Sequence, residues 1–156
     1  MILVPDHVAI SVPDLPTARD WYAAAFGLVP GPIFSVDATG LSGTVMQHPS
    51  GFRVELLHDP RSVRGAMDTR GPDAATLTQG YGHLCWRSDH VVATHDRLVA
   101  LGARSRLPPR PSPNRPGATI CFLNDPWGNL IEIIDRPEEN QSRPSAQLRP
   151  RLRGRR

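Results

Sequence analysis

The chain contains no lysine, so all 18 of its cationic side chains are arginine. It has only two cysteines, Cys85 and Cys121, which are too few for a disulfide framework; we expect reduced thiols in a cytoplasmic protein. No run of 18 apolar residues occurs, and the N-terminus lacks the charged region, apolar core and cleavage site of a signal peptide. The sequence therefore predicts neither a membrane span nor a membrane partner.

Glutamate is also scarce in the first 135 residues. That stretch contains 11 aspartates but only two glutamates, Glu55 and Glu132, and each lies inside an apolar run typical of a buried strand. Burying an unpaired carboxylate costs several kcal/mol, so each should face a cation, a set of hydrogen-bond donors or a metal.

The net charge of +3 comes from the C-terminal end. Residues 136–156 carry 7 Arg and 2 Glu, a net +5, whereas residues 1–135 carry 11 Arg and 13 acids, a net −2. We predict that residues 137–156 form a disordered, Arg-rich tail, because no apolar periodicity accompanies the arginines. Charge alone would let such a tail contact nucleic acid, but we expect no nucleic-acid partner.

One segment of the sequence occurs twice. Residues 49–57 and 126–134 share a proline, a glycine and a glutamate flanked by apolar residues, at an offset of 77 positions, and His7 and His83 are separated by 76. A recurrence at this period indicates a duplicated unit whose halves share a core. We assign a first module to residues 1–60, a linker or lid loop to 61–80 and a second module to 81–136.

Both modules show the same predicted order of elements, βαβββ. In the first, a strand opens at His7, Asp14 caps a helix that ends at Gly27, residues 30–48 suggest two strands, and the strand of Glu55 follows. The second repeats the plan from His83, with a helix over residues 91–101 and a Pro-rich loop over 108–116. The predicted fold class is α+β.

Each module therefore offers one histidine at the start of its first strand and one glutamate in its last strand. Taken singly, such a histidine is more often a hydrogen-bonded structural residue, and such a glutamate more often pairs with arginine. Their repetition in register favours one shared divalent metal, held by His7, Glu55, His83 and Glu132. A mixed set of this kind accepts Ni, Co, Fe, Mn or Zn, so the identity of the metal is left open.

The residues that carry this pattern resemble the vicinal oxygen chelate superfamily, over residues 5–135. The resemblance rests on Asp6-His7-Val8, Asp14-Leu15, Trp21-Tyr22, Val54-Glu55-Leu56, Gly82-His83-Leu84 and the run from Asp125 to Glu132. It implies two tandem βαβββ modules forming a cupped, half-barrel mixed sheet around the metal, often completed across a homodimer.

The resemblance also implies a set of possible activities. A glyoxalase I-like isomerase, lyase or epimerase would use all four ligands in metal-stabilised enediolate chemistry on a small oxygenated substrate, with Glu132 or Glu55 as the base. An extradiol-type Fe(II) dioxygenase would use His7, His83 and Glu132. A small-molecule binding or resistance protein without turnover is a third alternative.

Three further residues are candidates for substrate binding. Arg53 and Arg87 could hold an anionic group, although a strand arginine is as often solvent-facing. Trp86 could line the pocket, with core packing as the alternative.

Overall fold

Each half of the chain folds into one four-stranded sheet with a helix. The computed structural model describes residues 2–63, 71–77 and 79–137. The first module comprises β1 (Val8–Ser11), α1 (Leu15–Phe26), β2 (Val29–Val36), β3 (Leu41–Gln47) and β4 (Arg53–His58). A short helix, α2 (Pro72–Ala75), precedes the second module, which comprises β5 (Leu84–Arg87), α3 (Val91–Ala100), β6 (Arg104–Pro111), β7 (Thr119–Asn124) and β8 (Leu130–Ile134). The predicted α+β fold of two βαβββ modules is confirmed.

The two sheets have the same topology. Their strand orders are β1-β4-β3-β2 and β5-β8-β7-β6, with the first pair of each parallel and the others antiparallel. The parallel register sets Ala9 beside Glu55 and Cys85 beside Glu132. The first and last strands of each module are thus direct neighbours, as a site built from both requires.

Local sequence signals account for the ends of α1. Asp14 has extended backbone angles and accepts a hydrogen bond from the Thr17 amide, which satisfies one free donor of the first turn. Gly27 ends the helix at φ 66°, a left-handed conformation that glycine adopts without a steric penalty.

Alternation along the strands sends apolar and acidic side chains to opposite faces. Val54 and Leu56 of β4, and Ile131 and Ile133 of β8, are almost fully buried in one core cluster shared by both modules. Because successive strand residues point to opposite faces, Glu55 and Glu132 face away from that core.

Hydrogen bonds from three side chains join the modules around α1. The Trp21 indole donates to the Leu101 carbonyl at 2.8 Å, and the Tyr22 hydroxyl donates to Asp125 at 2.8 Å. Arg97 of α3 donates to the carbonyls of Ala24 and Ala25 near the end of α1. Burial raises the pKa of Tyr22 well above its usual value, and the nearby Asp125 raises it further.

The prediction of a Pro-rich loop over residues 108–116 is wrong for residues 108–111. Residues 104–111 form β6, which pairs with β7 through two irregularities in register. Proline is tolerated there because β6 is the outermost strand of its sheet. The predicted linker contains α2, and residues 64–70, residue 78 and the tail from 138 onward lie outside the described residues.

The outermost strand of the first module, β2, has a similar character. It contains Pro30 and Pro32, and a register shift falls between Pro30 and Ile33. Its apolar side chains include Val29, 63% exposed, and Ile33, 51% exposed. Both sheets therefore end in proline-containing strands.

None of the helices in the described part of the chain has the length and apolar character needed to cross a bilayer.

We expect Tyr22→Phe to lower the free energy of unfolding by about 1–3 kcal/mol, because the substitution removes a donor from the buried Asp125 carboxylate. Urea denaturation measures the change. Tyr81→Phe is the matched control, since Tyr81 is 57% exposed, and it should change stability by less than about 0.5 kcal/mol. Equal effects of the two substitutions would contradict a structural role for the Tyr22 hydroxyl.

Candidate metal centre

The strand registers bring the histidine and the glutamate of each module together. His7 lies just before β1, two residues from Ala9 and so on the same face, and Ala9 is the register partner of Glu55. The same relation in the second module links His83, Cys85 and Glu132. The sequence offset between the modules is thus reproduced as equivalent placement on the two sheets.

Each pair is in direct contact. His7 Nε2 lies 3.2 Å from Glu55 Oε2, and His83 Nε2 lies 3.1 Å from Glu132 Oε2. Both carboxylate side chains are 17% exposed, and the two imidazoles are 35% and 38% exposed. The carboxylates are therefore largely withdrawn from water, and the imidazoles that contact them are more exposed.

The structure brings together the two residues of each module but does not gather all four at one point. Within residues 2–63, 71–77 and 79–137, no three His, Cys, Asp or Glu side chains are close enough to hold one metal ion. A site shared by His7, Glu55, His83 and Glu132 stays a prediction.

Each pair nevertheless fits two neighbouring ligands of a divalent ion. Imidazole nitrogens and carboxylate oxygens bind such ions at about 2.0–2.2 Å, which puts adjacent ligand atoms about 2.8–3.6 Å apart in tetrahedral or octahedral geometry. The observed separations of 3.2 and 3.1 Å fall in this range. Imidazole and carboxylate together suit Ni, Co, Fe, Mn and Zn. Each module thus presents half of the predicted ligand set.

The pair in the first module is supported by Asp6. Its carboxylate lies 2.8 Å from His7 Nδ1 and accepts a hydrogen bond from Arg53 at 2.5 Å. The hydrogen bond with Asp6 raises the pKa of His7, and the charge of Glu55 adds to that effect. Arg53, predicted to hold a substrate anion, is thus engaged with Asp6.

The pair in the second module has a different neighbour, the thiol of Cys85. A hydrogen bond from His83 lowers the pKa of Glu132, and the Cys85 thiol lowers it further. Burial, with the adjacent Glu132 charge, raises the pKa of Cys85 to about 12, so Cys85 remains a thiol at neutral pH.

The two remaining substrate-binding candidates lie on opposite faces of β5. Arg87 shares the face of Cys85 and is half-buried. Trp86 belongs with the core, where it stacks on Phe26 at 4.4 Å between ring centroids. This placement supports the core-packing alternative for Trp86, and it lends no support to a role in substrate binding.

A cavity of about 570 Å³ runs between β1 and the start of β5. Of the four predicted metal ligands, His83 lines it. Polar side chains around the cavity belong to Ser11, Ser62, Tyr81 and Asn129, and the apolar lining includes Trp127 and Leu130. The cavity places surfaces of both modules beside a candidate metal ligand.

Sequence reasoning missed one neighbour of the site, Asp6. It could have been noticed as the acidic residue directly before the repeated histidine. The other neighbour, Cys85, is predicted by alternation, since it lies two residues from His83 on the same face of its strand. Neither residue recurs in the other module: the counterpart of Asp6 is Gly82, and the counterpart of Cys85 is Ala9. The internal repeat therefore gives no signal at these two positions.

Comparison with known families agrees with this architecture. The profile of the Glyoxalase/Bleomycin resistance protein/Dioxygenase superfamily matches residues 4–133. The chain belongs to this superfamily.

Two solved structures of the glyoxalase superfamily share its fold. Glyoxalase I from Zea mays has a TM-score of 0.67 at 21% identity and covers 84% of this chain, which spans only 44% of the maize chain. The fosfomycin resistance protein FosX from Listeria monocytogenes, solved with Mn(II) and sulfate, has a TM-score of 0.62 at 14% identity and covers 92% of this chain and 100% of its own.

A curated relative of this glyoxalase-superfamily chain matches along most of its length. An ethylmalonyl-CoA/methylmalonyl-CoA epimerase from Cereibacter sphaeroides is 29% identical over 134 residues, which is 82% of this chain and 94% of the relative. The relative therefore spans both modules.

If His83 is a metal ligand, as predicted, His83→Ala should weaken Co²⁺ binding by more than the roughly 10–100-fold that follows loss of a hydrogen-bonding partner of a ligand. Isothermal titration calorimetry on the metal-free chain measures the affinity. His48→Ala is the control, since His48 bonds to Ser50 in a turn, and it should bind Co²⁺ like the unmodified chain. Equal affinities for the two variants would contradict the assignment of His83.

A second prediction concerns Cys85, whose residue surface is exposed while its thiol is partly withdrawn from water, which raises its pKa to about 12. At pH 8 its thiolate fraction should be roughly a thousandfold below that of an ordinary cysteine. Alkylation by iodoacetamide should therefore be slower, though by a smaller factor, because a thiolate of higher pKa is more nucleophilic. Glu132→Gln removes a negative charge that raises this pKa, so it should accelerate alkylation of Cys85. Peptide mass spectrometry measures the rate at Cys85, and the buried Cys121 should stay unmodified. Alkylation of Cys85 at the rate of free cysteine would contradict this prediction.

Proposed function

We propose that this chain is a divalent-metal-dependent epimerase, which inverts a carbon atom next to a thioester carbonyl by removing a proton and returning it. The observation that carries the proposal is the repetition of one His–Glu contact, at 3.2 and 3.1 Å, on the equivalent face of both modules. The epimerase from Cereibacter sphaeroides, similar along both modules, supports this choice among the reactions of the superfamily.

In the proposed site, His7, Glu55, His83 and Glu132 hold one divalent ion. A bound ion of this kind stabilises negative charge on substrate oxygens and so lowers the barrier to loss of the neighbouring proton. The ion would be one of Ni, Co, Fe, Mn or Zn, and the two pairs would have to converge, within one chain or across a homodimer, to complete the set.

Glu132 and Glu55 are the proposed proton carriers. When a carboxylate takes the proton from carbon, the electrons of the C–H bond move onto the carbonyl oxygen; return of a proton to the opposite face reverses the flow and inverts the centre. Glu132 is assigned the role of base because its carboxylate is ionised at neutral pH and lies in the second His–Glu pair, beside the cavity that His83 lines. Glu55, in the other module, is assigned the opposite face of the substrate.

The cavity between β1 and β5 is the proposed substrate site. It adjoins His83 and has a mainly apolar wall with a few polar side chains, which suits a short carbon chain that carries oxygens at one end. By analogy with the relative, we propose ethylmalonyl or methylmalonyl thioesters of coenzyme A as substrates. Arg53 and Arg87 stay candidates for binding the free carboxylate of such a substrate.

Deuterium exchange tests the proposed reaction. The Co²⁺-loaded chain is incubated in deuterated buffer with one stereoisomer of methylmalonyl-CoA, and proton NMR follows the hydrogen on the carbon between the two carbonyl groups. We expect the signal to disappear with a rate proportional to enzyme, and Glu132→Gln to slow the exchange by roughly 10²–10⁴-fold.

His48→Ala serves as the control and should exchange at the rate of the unmodified chain. Absence of exchange with every one of the candidate metals would reject the epimerase. Oxygen uptake by the Fe(II)-loaded chain, coupled to loss of substrate, would favour the dioxygenase alternative instead.

A further inference from the structure

The two His–Glu pairs differ in what stands behind the histidine. In the first module, the Asp6 carboxylate lies 2.8 Å from His7 Nδ1, while Nε2 of the same ring lies 3.2 Å from Glu55. Arg53 donates to the second oxygen of Asp6 and so holds the carboxylate in place. The result is a continuous chain of contacts, Arg53 to Asp6 to His7 to Glu55.

These contacts place two carboxylates in competition for one proton. A neutral imidazole carries a single N–H and can donate to Asp6 through Nδ1 or to Glu55 through Nε2, but not to both. The Asp6 contact is shorter, so it favours the proton on Nδ1 and leaves the Nε2 lone pair directed at the site. A histidine binds a metal through such a lone pair, and a carboxylate on its other nitrogen commonly holds the ring.

The second module lacks this arrangement because residue 82, the counterpart of Asp6, is glycine. The polar contact described for His83 is that of Nε2 with Glu132 at 3.1 Å. In the neutral ring, this contact favours the proton on Nε2, where it occupies the nitrogen that a metal would need. The two pairs thus resemble each other in distance but differ in which ring nitrogen the neighbouring carboxylates favour for the proton.

We propose that Asp6 is a positioning residue that sets the tautomer of His7, so that the first module presents an open metal ligand and the second a closed His–Glu pair. The proposal rests on the metal-binding role proposed above. It goes beyond that role by stating which of the two His–Glu pairs is ready to bind a metal. The His7–Glu55 pair would offer the Nε2 lone pair of its histidine to a metal without a shift of the ring proton. The His83–Glu132 pair would offer the same lone pair only once the ring proton of His83 has moved from Nε2 to Nδ1.

The first experiment needs no metal. The full chain, labelled with ¹⁵N-histidine and kept in chelator at a pH where the rings are neutral, reports the protonated nitrogen of each ring by long-range ¹H–¹⁵N correlation. We expect the proton of His7 on Nδ1, and we expect it on Nε2 in Asp6→Ala. Asp6→Asn, which keeps a neutral acceptor, should give a mixture of the two forms. The side chain of Asp6 is 59% exposed, so these variants should fold, and circular dichroism checks that they do.

The second module provides the reciprocal variant, Gly82→Asp. A Cβ atom at Gly82 meets nothing within 4 Å, so a side chain fits there. We expect this variant to move the proton of His83 from Nε2 to Nδ1. An unchanged His7 tautomer in Asp6→Ala would overturn the proposal, whether or not the chain binds a metal.

Calorimetric titration with Co²⁺ alone gives the second readout. We expect Asp6→Ala to weaken affinity by roughly 10–100-fold, with Asp6→Asn in between and Gly82→Asp tighter than the unmodified chain. Equal affinity of Asp6→Ala and the unmodified chain would overturn the positioning role. No binding by the unmodified chain would instead reject the proposed metal function, while the tautomer measurement would still decide the placement of the proton by Asp6.

Discussion

Everything at the candidate site follows from one constraint: a carboxylate withdrawn from water on a strand must be met by a partner. In each module that partner is the imidazole at the start of the neighbouring parallel strand. The pairing works because alternation along the last strand sends the adjacent apolar residues into the shared core and the glutamate to the other face. The alternation that buries the apolar strand residues in the core thus also directs the glutamates toward the candidate site.

Much of this arrangement was predictable from the sequence because it depends on features that repeat. The histidines and glutamates recur at nearly one offset, and Asp14 and Gly27 mark the ends of α1 in the expected way. Strand alternation then correctly places His83 and Cys85 on one face. The fold was also predictable, from the family resemblance that the superfamily profile over residues 4–133 supports.

Other features were not predictable, for physical reasons. The prolines of residues 108–111 favour a loop by their local chemistry, and only the position of β6 at the outer border of its sheet makes a strand compatible with them. The contact of Arg53 with Asp6 spans 47 positions of sequence, and no local pattern indicates it. Trp86 lies on the core face of its strand, where stacking on Phe26 decides its environment. Each of these depends on tertiary neighbours.

The outer strands have a consequence for how copies of the chain can associate. Proline offers no amide hydrogen to a new strand, and β2 and β6 combine prolines with irregular registers, so neither border is a good template for sheet extension. Without the prolines, the exposed apolar side chains of β2 would favour strand pairing between copies of the chain, which leads to aggregation. At these two borders, copies of the chain should therefore associate by the packing of faces rather than by the joining of sheets.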